Sequence, residues 1–98
     1  MKVADKYSRI IEHLVPEGNL DLKMKTILAS EVRRRLAEFE AVDRRFRQKY
    51  GMTLAEFERR GVIKERGYAF EVERDHQEWD AAVDAMVALR ADLNELER

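Results

Sequence analysis

The chain has 98 residues, of which 45% are hydrophobic and 40% charged, which describes one domain, residues 1–98, of solvated helices around a limited core. It holds no cysteine, which excludes disulfides and thiolate chemistry, and no apolar run approaches the roughly 18 residues of a membrane span; both suit the cytoplasm. The formal charge of −1 hides an asymmetry: residues 1–50 carry 12 Lys or Arg against 8 Asp or Glu, and residues 51–98 carry 7 against 12. The two halves can attract each other or steer a charged partner.

From Val3 to Val15, the residues Val3, Tyr7, Ile10, Ile11 and Leu14 recur at helical spacing with Ala4 alongside, which predicts a short first helix. His13 falls at its end, where an imidazolium favours the negative pole of the helix dipole. Pro16, Glu17, Gly18 and Asn19 then form a turn.

Leu20, Met24, Ile27, Leu28, Val32, Leu36, Phe39, Val42, Phe46 and Tyr50 alternate by threes and fours, so Leu20 to Tyr50 reads as one long amphipathic helix. Glu40 with Arg44 and Asp43 with Arg47 lie four residues apart with the acid first, the favourable order. Gly51 suits the left-handed residue that closes such a helix. Thr53-Leu54-Ala55-Glu56 is a capping box that opens a short helix, with Leu54 and Phe57 facing inward and Gly61 ending it.

Val62 to Phe70 holds two small apolar clusters around Lys64-Glu65-Arg66-Gly67 and is expected to be a structured loop with short extended pieces. In the last segment Val72, Trp79, Met86 and Leu93 occupy one heptad position and Asp75, Ala82, Leu89 and Leu96 the other. Asp75 alone breaks that seam. Asp75-His76-Gln77-Glu78 also reads as a capping box, which would start the helix near His76 rather than Glu71 and explain the acid as a cap. Val83 and Val87 widen the stripe, so this helix is expected to meet more than one neighbour.

Chemistry-bearing constellations are sparse. Glu73 and His76 stand in an E-x-x-H spacing of the kind ferritin-like proteins use for iron, but the inward carboxylates such a site also needs are missing from the stripe of the long helix. No cofactor or metal is therefore expected, and a metal-binding oligomer is the weakest alternative. Arg33-Arg34-Arg35 and Arg44, Arg45, Arg47 and Lys49 could contact phosphates, yet interleaved acids dilute the patch, so nucleic-acid binding is not favoured. No phosphate-binding loop and no nucleophile–base pair can be assembled, which argues against an enzyme.

Tyr50-Gly51-Met52-Thr53-Leu54-Ala55-Glu56-Phe57, followed by Phe70-Glu71-Val72-Glu73-Arg74-Asp75 and Glu78-Trp79-Asp80, resembles a family of small prokaryotic antitoxin-like proteins. Its pattern is Y-G-M-[ST]-x-x-E-F and then Y-E-V-E-x-D-x-x-E-W, and the resemblance spans about half the sequence. The chain departs from it at Phe70, where Tyr is usual, and at His76, where an aromatic is common. The resemblance implies a non-enzymatic protein that neutralises a small toxin by binding it.

The expectation is thus an all-α helical hairpin or bundle, dimeric, with the basic helix serving core and dimer and the acidic helix serving recognition. Trp79, Met86, Leu89, Leu93 and Leu96 are the expected apolar anchors for a toxin, with Glu73, Asp80 and Asp84 as rim charges. The alternative is a self-assembling helical scaffold held by its opposite charges.

Overall fold

The computed structural model describes the backbone of residues 3–98 and the side chains from residue 5 onward. Five helices follow one another: α1 (Val3–Leu14), α2 (Leu20–Tyr50), α3 (Leu54–Arg60), α4 (Val62–Glu65) and α5 (Phe70–Leu96). The two long ones form an antiparallel hairpin, α3 and α4 sit at its closed end, and α1 packs on the start of α2 at its open end. The result is a rod with principal extents of 60 × 26 × 17 Å.

Local chemistry sets the helix ends. Asn19 caps α2 by accepting the Leu22 N–H at 2.8 Å. At the other end Gly51 has φ 67° and donates its N–H to the Arg47 carbonyl, the left-handed closure that lets the chain turn back at once. Thr53 then accepts the Glu56 N–H at 3.2 Å, the hydroxyl half of the expected capping box, while the Glu56 carboxylate accepts from the Thr53 hydroxyl, also at 3.2 Å, rather than from its backbone N–H.

Two expectations fail on the way to α5. Val62 to Glu65 is a single helical turn where short extended pieces were expected, because Gly61 in the left-handed region both ends α3 and presents its carbonyl to the Glu65 N–H at 3.0 Å, and only residues 66–69 form the expected loop. That turn places Val62 in the core, which an extended segment beside no sheet would not do. The last helix starts at Phe70, not near His76, so Asp75 is not a cap but lies inside α5 and is buried. Glu71 and Glu73 in the first turn complement the helix dipole there.

The core is concentrated at the closed end. Phe46 and Tyr50 of α2, Leu54 and Phe57 of α3, Val62 of α4, and Val72 and Trp79 of α5 form one buried cluster. The indole of Trp79 is 0% exposed, stacks between Phe46 (5.6 Å) and Tyr50 (5.9 Å), and meets Phe57 edge-on at 5.3 Å. Its Nε1–H donates to Asp43 at 2.9 Å, so the polar atom is satisfied as well. Farther along the hairpin the seam thins to Ala29, Leu36, Ala82 and Met86.

Two substitutions test this account by urea denaturation. Trp79→Ala should lose about 3–5 kcal/mol, a large part of what so small a domain possesses, whereas Thr53→Ala should lose only about 1 kcal/mol.

Candidate interaction surfaces

The opposite charges of the two long helices are largely consumed inside the chain. Arg45 pairs with Glu78 at 2.8 Å, Lys49 with Glu71 at 2.8 Å and with Asp75 at 2.6 Å, Arg90 with Glu40 at 3.1 Å, and Arg33 with Glu97. Glu40 therefore reaches across to α5 instead of along its own helix to Arg44, whereas Asp43 and Arg47 make the expected pair at 3.3 Å. Most of these pairs are exposed and contribute at most about 1 kcal/mol each.

The exception lies against the aromatic core. Asp75 occupies its heptad position after all, where its carboxylate accepts from the Tyr50 hydroxyl and from Lys49 Nζ, both at 2.6 Å. Burial pushes the Asp75 carboxyl up, but the hydrogen bonds from Lys49 and Tyr50 and the charges of Lys49 and Arg74 outweigh it, and the net displacement is downward. Burial and the same carboxylate push the Tyr50 phenol up to about 12, while the bonds to Asp75 and Glu71 raise Lys49. The Arg66 guanidinium lies 5.5 Å from the centre of the Tyr50 ring and covers this network. Its place is structural: it ties the end of α2 to the second turn of α5.

The expected partner anchors divide accordingly. Trp79 and Met86 are buried by their own chain, and Leu89, Leu93 and Leu96 are half-buried where α5 runs back toward the open end. Trp79 is thereby corrected from surface anchor to core residue, since no part of it reaches solvent. Glu73, Asp80 and Asp84 behave differently. They share one ridge of α5 opposite the buried seam, together with Gln77, Val87 and Ala91, and Val87 is 63% exposed. None of the three carboxylates enters an ion pair among the described residues.

Glu73 and His76 do not converge on a common point. Glu73 is exposed, while His76 stacks on Phe57 at 5.8 Å and its Nε2 lies 3.1 Å from Glu58. No group of three His, Cys, Asp or Glu side chains that could hold a metal occurs among the described residues.

A second surface escaped the sequence reading. Tyr7, Ile10 and Leu14 of α1 and Leu20, Leu22, Met24 and Leu28 of α2 are all more than 40% exposed, and they make up seven of the ten large hydrophobic residues so exposed among those described. Spacing marked all of them but Leu22 as part of an apolar stripe, and the fold shows that the last turn of α5 reaches only their edge, where Glu95 and Leu96 line a groove with Leu22, Met24 and Leu28. Val3 and Ala4, assigned to the same stripe, lie outside the described side chains. α1 is held in place by Lys23, itself 2% exposed, whose Nζ donates to Glu12 at 2.6 Å.

The chain matches no known family, no curated protein and no solved structure. No helix among the described residues is long and apolar enough to cross a membrane.

The Asp75 network predicts two pH limbs. A depressed carboxyl contributes stability above its unfolded value of 3.8, lost as pH falls below it; a raised phenol contributes below 10.0, lost as pH climbs toward 12. Urea midpoints measured across pH should drop at both ends, with Tyr50→Phe flattening the alkaline limb and Asp75→Asn the acid one.

Proposed function

We propose that the protein is a non-enzymatic binding module that captures and neutralises a small basic toxin in the cytoplasm, with the outward ridge of α5 as its contact surface. The observation that carries this reading is the alignment of Glu73, Asp80 and Asp84 on one ridge where none of them enters an ion pair among the described residues, while the charges facing α2 are paired across the hairpin. Val87, with Ala91 a turn further on, supplies an apolar strip beside them, so a complementary helix or sheet edge would meet a charged rim around a small dry centre.

The resemblance of the segments from Tyr50 to Phe57 and from Phe70 to Asp80 to antitoxin-like proteins supports the same class. In this fold those residues are chiefly architectural: Tyr50, Phe57, Val72 and Trp79 build the core, Asp75 bonds to Tyr50, and Gly51 and Thr53 shape the turn. The motif would thus preserve the scaffold, and the ridge beside it would select the partner. The charge-held scaffold has weaker support, because the cross-helix pairs close within one chain.

Charge reversal separates the ridge from the fold. Asp80→Lys with Asp84→Lys should leave the circular dichroism spectrum and urea midpoint nearly unchanged while weakening binding to the neighbouring gene's product by about tenfold or more, chiefly through slower association. If that product is neither toxic nor retained by the unaltered protein, the proposal fails.

A further inference from the structure

The open end of the hairpin exposes an apolar face that has no use inside the monomer, and its shape and rim charges point to one occupant. We infer that this face, formed by α1 and the first third of α2, is where a second copy of the chain docks through a two-fold axis. It is distinct from the acidic ridge of α5.

The size of the face is the first argument. Seven large side chains, each roughly half exposed, leave on the order of 600 Å² of apolar surface, which is at the upper limit of a monomer's largest patch and approaches the roughly 800 Å² per partner of a stable complex. α1 makes the need sharper. A 12-residue helix is marginal alone in water, and of its stripe Tyr7, Ile10 and Leu14 remain exposed while Ile11 alone turns against α2. A partner on that stripe would bury what α2 leaves open.

Relief is the second argument. Leu28 stands between two grooves: one of about 140 Å³ against α1, lined by Ile11, Met24 and Ile27, and one of about 320 Å³ against the end of α5, lined by Val32, Asp92, Glu95 and Leu96. A ridge flanked by a groove is self-complementary under a two-fold rotation, because each copy's ridge enters the other's groove.

Charge selects the second copy over a foreign chain. Around the face Lys6 and Arg9 of α1 and Lys25 of α2 are balanced by Asp21 of α2 and Asp92 and Glu95 of α5, and none of the six enters an ion pair among the described residues. A partner of one sign would be repelled by half of this rim. A second copy matches both halves, with Lys6 and Arg9 of one facing Asp92 and Glu95 of the other.

Sedimentation equilibrium of the full chain should show a reversible dimer at micromolar concentration. Leu28→Glu should raise its dissociation constant by about a hundredfold or more, with near-ultraviolet dichroism of Trp79 confirming that the closed-end core is intact. Surface variants give an independent readout. Lys6→Glu with Arg9→Glu, and Asp92→Lys with Glu95→Lys, should each be monomeric alone yet form a heterodimer when mixed, since each then supplies what the other lacks. A monomer at about 100 µM, dimerisation that survives Leu28→Glu, dimerisation lost on Val87→Glu, or a mixture that stays monomeric would each overturn the inference. Toxin capture is read separately through Asp80 and Asp84, so one reading can fail while the other stands.

Discussion

Everything in the hairpin depends on the burial of Trp79. Its indole lies between Phe46 and Tyr50 with Phe57 at its edge, which brings side chains of α2, α3 and α5 into a single contact. Burying an aromatic of this size contributes several times what an exposed ion pair can, so the register of the two long helices is set here and the charges follow. Asp75, one turn before Trp79, then meets Tyr50 and Lys49 at hydrogen-bond distance and holds the alignment against sliding.

That concentration of packing at one end leaves the other end free for association. Large aromatics lock the closed end, small and aliphatic residues carry the middle, and at the open end Leu20, Leu22, Met24 and Leu28 of α2 stay exposed. The rod therefore has a rigid head and an apolar foot. In the proposed reading the foot serves self-association and the outward ridge of α5 serves a partner, so the two bindings need not compete for surface.

Much of the architecture was legible in the chain. The three-and-four alternation from Leu20 to Tyr50, the capping box at Thr53 and the glycines at 51 and 61 appear where the helices begin and end. The two misreadings share one cause, since each judged a residue by its local pattern. Asp75 looked like a cap because an acid interrupts an apolar seam, and Val62 to Phe70 looked like a structured loop with short extended pieces because its apolar clusters are short. Across the fold, Tyr50 and Lys49 make an acid welcome in the seam, and the aromatic core rewards a helical turn that brings Val62 inward.

The candidate surfaces were less legible for a related reason. Heptad spacing marks Trp79, Met86, Leu89, Leu93 and Leu96 as apolar, but it cannot say whether α2 or another molecule covers them. The all-helical class, the order of every helix but α4, and the opposite charges of the two long helices came from the sequence alone, because propensity, periodicity and capping act within a few turns. Which apolar residues are buried, which carboxylates remain unpaired and which end of the hairpin stays open were decided only by the tertiary structure. Those properties depend on the antiparallel register of α2 and α5, and no local pattern encodes the meeting of residues 22 to 64 positions apart.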